Sequence, residues 1–218
     1  MKLYFVKTPS LVPVLYRNQI WSFASKEKSI YLTFDDGPTP VITDWVLDTL
    51  QQYNAQATFF CIGRNIEEHP TIFKRIINQG HAIGNHTYSH LNGWKTSDED
   101  YLENILKAEK VMSVERREQN KTQNSKFFRP PYGKIKTSQT KSLHKSGYKI
   151  IMWSVLSADF DTTIDVNKCL DNVIKNVENG DVVVFHDSVK AFEKLKVVLP
   201  KVLKHFKNKG YAFRRIDN

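Results

Sequence analysis

The sequence predicts an α/β domain built on a parallel sheet, and two observations support this. Short runs of apolar and β-branched residues alternate about six or seven times with longer amphipathic segments, and the links between them are short. Unusual polar residues follow directly after several of the predicted strands. In a parallel barrel the carboxyl ends of the strands share one rim, where active sites collect. We therefore expect a site at that rim.

The bulk composition narrows the class of protein. A length of 218 residues with 40% hydrophobic content suits one substantial core, and two cysteines exclude a disulfide scaffold and a cysteine-based zinc finger. The net charge of +9 is spread along predicted helix faces. A solvated lysine face is the favoured explanation, and attraction to an acidic polymer is the alternative. No nucleic-acid motif is present, so we expect no nucleic-acid partner.

The first strand covers residues 30–34 and ends in Asp35 and Asp36, before a Gly-Pro turn. The remaining predicted strands cover residues 55–63, 81–86, 127–129, 148–155, 181–187 and 211–214. The predicted helices cover residues 40–52, 69–79, 97–118, 136–146, 167–178 and 190–208, and residues 119–126 are predicted to be a polar surface loop. No glycine-rich phosphate loop follows the first strand, so a dinucleotide-binding fold is not expected.

The N-terminal residues 1–28 are apolar-rich and irregular, and we expect them to pack as an extension on a catalytic domain of residues 29–216. The apolar run near the start is broken by Lys7, Pro9 and Pro13, which is not typical of a signal peptide. No stretch is long enough to span a membrane.

Two adjacent carboxylates, Asp35 and Asp36, stand at the mouth of a buried strand. Their mutual repulsion and lost hydration require a metal ion or a basic partner nearby. The alternative is a capped turn, in which Asp36 or Thr39 caps the helix near Pro40.

His86 and His90 lie four residues apart, directly after the third predicted strand. On one helical turn their imidazoles would face the same way and reach one cation. With Asp36 on the same rim, an Asp-His-His set leaves a coordination position open for water, as in hydrolytic zinc sites. Two unrelated surface histidines are the alternative.

Four motifs make the chain resemble the polysaccharide deacetylases of the NodB-homology type, carbohydrate esterase family 4. They are TFDDGP, HTYSH, RPPYG and VFHD, in that order, and the resemblance covers about residues 29–214. It implies a deformed parallel (β/α) barrel of about seven strands. It also implies that Asp36, His86 and His90 bind one divalent metal, zinc first, with Co²⁺, Ni²⁺ or Mn²⁺ as alternatives.

The same resemblance assigns the catalytic roles. Asp35 is expected to be the general base, and Arg129 to pair with it and orient it. Tyr132 is expected to offer its backbone N–H to an oxyanion hole, and His186 to be the general acid that protonates the departing amine. The alternatives are a surface arginine for Arg129 and a packed structural histidine for His186.

One stretch departs from the family pattern. The fourth motif of the family is read here as Trp-x-x-Asp-x-x-Asp-Trp, with its first aspartate paired to the catalytic histidine. The sequence has Leu156 at that aspartate and Phe160 at the final tryptophan, and it retains Asp159. We expect Asp159 or Asp161 to replace the missing partner.

Substrate contacts are also expected along this rim. Trp94 could stack on a sugar ring, and packing of its own loop is equally plausible. The complete set of expected substrate-binding residues is Pro130, Pro131, Gly133, Trp94, Asp159 and Phe160.

The resemblance implies a metal-dependent hydrolase that removes N-acetyl groups from an amino-sugar polymer such as peptidoglycan or a chitin-like glycan. The alternatives are a small non-sugar amide or O-acetyl ester as substrate, or a carbohydrate-binding protein with impaired catalysis. We expect a monomer. The family places such enzymes in the bacterial cell envelope, whereas the unconvincing signal peptide leaves a cytoplasmic location open.

Overall fold

The fold is a curled, all-parallel sheet surrounded by helices, as the sequence predicts. The structure is a computed structural model and describes residues 4–118 and 126–217. Seven strands follow the order β5-β4-β3-β2-β1-β7-β6, and the eighth pairs with the start of β1. The strands are β1 (Ser29–Asp35), β2 (Ala57–Cys61), β3 (Ala82–Asn85), β4 (Lys126–Phe128), β5 (Tyr148–Ile150), β6 (Val155–Leu156), β7 (Val182–His186) and β8 (Ala212–Phe213). Residues 119–125 of the predicted polar loop lie outside the described residues.

Helices follow most strands, and two of them start at recognisable signals. Pro70 occupies the first turn of its helix, and the Ser97 hydroxyl accepts a hydrogen bond from the Asp100 amide at 3.1 Å. The helices are α1 (Leu11–Leu15), α2 (Ile42–Gln52), α3 (Gly63–Glu68), α4 (Pro70–Asn78), α5 (Asp98–Glu118), α6 (Thr137–Lys145), α7 (Val166–Ile174) and α8 (Val189–Asn208). The sequence did not predict α1 or α3. No described helix is both long enough and apolar enough to cross a membrane.

The central strand β1 separates the outer core from the barrel interior. Ile30, Leu32 and Phe34 are fully buried in the cluster that includes residues of α2 and α8. Burial of each contributes about 1.5–3 kcal/mol. Because side chains alternate along a strand, Thr33 and Asp35 face the interior. The carboxyl end of β1 therefore delivers a carboxylate to the inside of the rim.

The predicted strand 148–155 is wrong as one element, because it is two short strands at opposite edges of the sheet. The break has a clear cause. The carbonyl oxygens of Ile151 and Met152 accept hydrogen bonds from the Arg129 guanidinium, at 3.1 and 2.9 Å. Those two carbonyls therefore bind the buried guanidinium of Arg129.

The N-terminal segment, residues 4–28, lies along the gap between these two edges. The Thr8 amide donates to the Ser154 carbonyl, next to β6, at 2.9 Å. Further on, the Ile20 amide donates to the Ile150 carbonyl of β5 at 2.8 Å. The segment therefore supplies backbone partners to both edge strands.

Candidate active site

Three metal-ligand side chains converge at the rim. The Asp36 Oδ1 atom lies 3.3 Å from His90 Nε2 and 3.7 Å from His86 Nε2. One donor atom from each residue falls within 4.8 Å of the other two. The predicted Asp-His-His set is therefore brought together in space.

The two imidazoles are oriented by their other nitrogens. His86 Nδ1 lies 2.7 Å from the Arg129 carbonyl oxygen, and His90 Nδ1 lies 3.1 Å from the Tyr132 hydroxyl. Burial lowers the pKa of His86 to about 4, against the attraction of Asp35, so its ring is neutral at pH 7. Both Nε2 atoms are left facing Asp36. Such partners on the second nitrogen are typical of metal-binding histidines.

The Asp36 carboxylate has the features of a metal ligand. Its Oδ1 atom is buried and has no hydrogen-bond donor among the described residues. Burial opposes its ionisation, but the neighbouring imidazole of His90 and the charge of His186 hold the pKa of Asp36 well below its usual range. The capping alternative does not describe it, since α2 begins after Val41 with no side-chain cap. These residues therefore fit a divalent metal.

The predicted helical turn for His86 and His90 is wrong. Residues 86–90 form a loop, with positive φ at Thr87 (65°) and His90 (57°). The Asn104 amide oxygen fixes this loop by accepting from the backbone N–H groups of Tyr88 and Ser89, at 2.8 and 3.1 Å. The four-residue spacing brings the imidazoles together through this loop.

Asp35 and Arg129 form a buried ion pair beside the candidate metal ligands. Arg129 Nη1 donates to Asp35 Oδ1 at 2.7 Å and to the Thr33 hydroxyl at 2.6 Å. Arg129 has no exposed surface, which excludes the surface-arginine alternative. Burial lowers the pKa of Arg129, and the neighbouring Asp35 carboxylate opposes that effect. The geometry holds one oxygen of Asp35 in a fixed direction.

His186 is paired with Asp159, one of the two aspartates expected to replace the missing partner. Asp159 Oδ1 lies 2.8 Å from His186 Nδ1, and Asp159 Oδ2 accepts from the His186 backbone N–H at 2.8 Å. Burial alone would lower the pKa of His186, but the charge and hydrogen bond of Asp159 raise it from 6.5 to about 9. Asp161 instead accepts from the Tyr4 hydroxyl at 2.8 Å. Leu156 lines the cavity wall.

These groups share a cavity of about 600 Å³. Of the expected substrate contacts, Pro130 and Phe160 line it. Asp159 is a correction to that expectation, because it has no exposed surface and its carboxylate is committed to His186. Among the described residues, the cavity wall leaves out Trp94, Pro131 and Gly133. The sequence analysis missed six wall residues: Tyr4, Trp153, Val184, Ser188, Val189 and Lys190.

The exposed indole of Trp94 packs on its own surroundings. Its ring nitrogen donates to the Ile135 carbonyl at 3.1 Å, and the Lys134 ammonium lies 5.2 Å from the ring centre. This matches the loop-packing alternative for Trp94.

Asp187 fixes the turn that carries Asp36, a role that the sequence analysis missed. Its buried carboxylate accepts from the Gly37 amide at 3.1 Å and from the Thr43 hydroxyl. A Cβ atom on Gly37 would lie 2.0 Å from Asp187 Oδ2, so this position needs glycine. Burial raises the pKa of Asp187 to about 8, despite the hydrogen bond from Thr43. Asp187 of the VFHD motif thereby fixes the turn of the TFDDGP motif.

A rim with a candidate cation site, a fixed carboxylate and a protonated imidazole is suited to hydrolysis of an amide or ester. Comparison with known proteins gives the family. The sequence profile of the family described as polysaccharide deacetylase matches residues 24–151. The chain belongs to the polysaccharide deacetylase family.

Similar proteins support the same class. One peptidoglycan-N-acetylglucosamine deacetylase of Bacillus cereus is 36% identical over 194 residues, covering 88% of each chain. A second from that organism is 38% identical over 185 residues, which is 84% of this chain and 65% of that protein. The solved Bc1960 peptidoglycan N-acetylglucosamine deacetylase, bound to a naphthyl-substituted N-hydroxybenzamide, superposes with a TM-score of 0.85 at 34% identity. That superposition covers 96% of this chain and 95% of the other.

Proposed function

We propose that this chain removes the N-acetyl group from N-acetylglucosamine units of peptidoglycan and releases acetate, using one divalent cation held by Asp36, His86 and His90. The observation that carries the proposal is the buried, unpartnered Asp36 oxygen facing two oriented imidazoles. It borders the same cavity as Asp35 and His186.

The chemistry divides between the cation and the side chains. A bound divalent cation would supply Lewis acidity toward the acetamide carbonyl and toward a water molecule. Asp35 takes the proton of the attacking water, while Arg129 keeps the carboxylate oriented. The Tyr132 backbone N–H remains the predicted donor to the oxyanion.

His186 supplies the proton that the leaving amine needs. With a pKa of about 9, its ring is protonated at pH 7. Its Nδ1 is engaged by Asp159, so the proton that can be transferred is the one on Nε2. A protonated amine is a far better leaving group than an amide anion, so this step completes cleavage of the C–N bond.

An amino-sugar substrate is supported by the cavity wall. Tyr132 is 61% exposed at the cavity, and Phe160 and Trp153 add two further aromatic faces. Aromatic rings give pyranose sugars a flat apolar surface to stack on. The choice of peptidoglycan comes from the names of the similar deacetylases, and a chitin-like glycan is the competing outcome.

Zinc is the proposed cation because two imidazoles and a carboxylate are a donor set that Zn²⁺ prefers, with Co²⁺, Ni²⁺ and Mn²⁺ as alternatives. A peptidoglycan substrate puts the proposed location at the cell envelope.

Acetate release tests the proposal. Zinc-loaded protein is incubated with peptidoglycan fragments, N-acetylglucosamine oligomers and acetylated xylan, beside Asp35→Asn and a control. The control is Asp171→Asn, which alters an exposed carboxylate paired with Lys175 on α7. We expect release from peptidoglycan fragments, loss in Asp35→Asn with zinc content unchanged, and wild-type release in the control.

Other outcomes would overturn the proposal. Preferential release from the oligomers would make the substrate a chitin-like glycan, and release from xylan would make the enzyme an O-acetyl esterase. Glycan binding without release from any substrate would make the chain a carbohydrate-binding protein.

A further inference from the structure

The short helix α1 exposes a compact apolar surface. Leu11, Val14, Leu15 and Tyr16 are 63, 51, 67 and 53% exposed, and none of the helix residues is buried. We call these four residues the α1 patch. Scattered single apolar residues on a surface need no explanation, but four within six positions form a contiguous patch of the kind that marks a contact surface.

Basic side chains adjoin the α1 patch. Arg17 follows it directly, and Asn18 lines an open hollow of about 330 Å³ together with Lys141, His144 and Lys145 of α6. Within residues 4–118 and 126–217, the exposed Lys141 and Lys145 make no ion pair. Residues 10–19 and α6 contain no acidic residue. We call Arg17, Lys141 and Lys145 the basic collar.

This surface lies at the end of the barrel opposite the active site. The helix α6 ends at Lys145, just before β5 begins at Tyr148, so Lys145 is near the amino end of that strand. The candidate catalytic groups lie at or just beyond the carboxyl ends of their strands, and Asp35 and His186 are the last residues of β1 and β7. A flat surface touching the basic collar would therefore leave the active-site cavity open on the far side.

We propose that the α1 patch and the basic collar dock this protein on an anionic lipid bilayer. Leucine, valine and tyrosine side chains on a short projecting helix enter the headgroup and upper acyl region. Lysine and arginine beside them contact lipid phosphate groups, which attract each basic residue and keep it near the surface. Uncompensated cations around an apolar centre complement an anionic membrane, and the net charge of +9 acts in the same direction.

Vesicle co-sedimentation tests this docking with the full chain. Wild type is mixed with vesicles of phosphatidylcholine alone, or of phosphatidylcholine with phosphatidylglycerol, at low and high salt. We expect binding to the anionic vesicles that weakens with salt, and little binding to the neutral ones. The double variant L11S/L15S should bind about tenfold more weakly because it removes the inserted apolar groups. The variant K141E/K145E should bind at least about 30-fold more weakly.

Matched controls keep the outcome specific. Leu106→Ser changes a leucine that is 60% exposed on α5, and K201E/K204E reverses two exposed lysines on α8. Both controls should bind like wild type. The proposal is overturned if wild type does not bind anionic vesicles, if neutral vesicles bind as well, or if the controls lose as much binding as the patch variants.

Two further measurements distinguish membrane docking from self-association and from the proposed reaction. Light scattering after size exclusion would show a dimer that L11S/L15S dissociates if the patch mediates self-association, and that result without vesicle binding would also overturn the proposal. Acetate release from soluble fragments should be unchanged in both patch variants. The membrane result therefore stands or falls independently of the proposed reaction.

Discussion

Replacing Asp159 by asparagine tests how the rim keeps its proton donor charged. In the wild-type structure both carboxylate oxygens of Asp159 engage His186, one at the ring Nδ1 and one at the backbone N–H, each at 2.8 Å. Asparagine has nearly the same shape and keeps one acceptor for the backbone. The change therefore removes mainly the negative charge beside the imidazole.

The size of the effect follows from the pKa of His186. Its value of about 9, against 6.5 for an ordinary histidine, corresponds to about 3 kcal/mol in favour of the charged ring. Burial is the largest opposing influence, so the pKa of His186 falls when the charge and hydrogen bond of Asp159 are removed. A general acid works only when protonated, so activity is lost as pH rises through this pKa. The alkaline limb of the pH profile should therefore move to lower pH.

The measurement is kcat/KM for acetate release between pH 5 and 10 or so, with both proteins loaded with the same metal. A bound cation lowers the pKa of His186 in both proteins, so the separation between the two alkaline limbs is the quantity to compare. We expect a separation of about two pH units, and at pH 8 a loss in the variant of about tenfold or more.

The matched control is Asp161→Asn, two residues further along. Asp161 contacts Tyr4 and Thr163, so this variant should keep the wild-type alkaline limb. If Asp159→Asn leaves the limb in place, or if both variants move it equally, the assignment of the Asp159–His186 pair as the proton donor is wrong.

Four further substitutions probe separate parts of the site. Arg129→Met leaves the Asp35 carboxylate buried without its cation, so the free energy of unfolding, measured by urea titration, should fall by about 3–5 kcal/mol. Asp36→Ala removes the oxygen between the two imidazoles, and zinc retained after dialysis should fall by at least about tenfold. Leu156→Asp buries a carboxylate at a position that is 5% exposed, so kcat should fall, and no gain is expected because His186 already pairs with Asp159. Tyr4→Ala opens the cavity wall, so KM for a glycan fragment should rise several-fold, with kcat little changed.

Two control variants, at Arg75 and His144, accompany these four substitutions. Arg75→Met breaks two ion pairs near the surface, to Asp44 and Asp48, and should cost about 1–2 kcal/mol at most, while His144→Ala should retain zinc. Equal destabilisation by the Arg75 and Arg129 variants would contradict the buried pair. Full zinc content in Asp36→Ala would contradict the assignment of Asp36 as a metal ligand. Faster turnover in Leu156→Asp would contradict the assignment of Asp159 as the sufficient partner of His186. A lower kcat in Tyr4→Ala with KM unchanged would mean that Tyr4 acts on the reacting groups.

Periodicity and motifs predicted the parallel sheet and the rim, because these depend on local patterns that repeat along the chain. The break between Ile150 and Val155 was not predictable, since its cause is a cation supplied by the distant Arg129. For the same reason Tyr4 was missed, because its place in the cavity depends on contacts with residues more than 150 positions away.

The motifs pointed to the candidate metal ligands and the candidate base, whereas the partner of His186 could be identified only from the structure. The sequence shows that Asp159 and Asp161 are both available, but it does not show which carboxylate contacts the His186 imidazole. The loop that carries His86 and His90 was also beyond local rules, because the Asn104 amide on α5 decides its path.

The N-terminal segment also sets an order of events during synthesis. The ribosome makes this segment long before its partners emerge: Lys7 binds Asp181, which is 174 positions later, at 2.6 Å. Until then the edges of β5 and β6 present unpaired backbone groups, which can recruit strands from other chains. Closing so long a loop is slow compared with forming the helices. Residues 4–28 are thus translated before the two edge strands but can take their place only after both have formed.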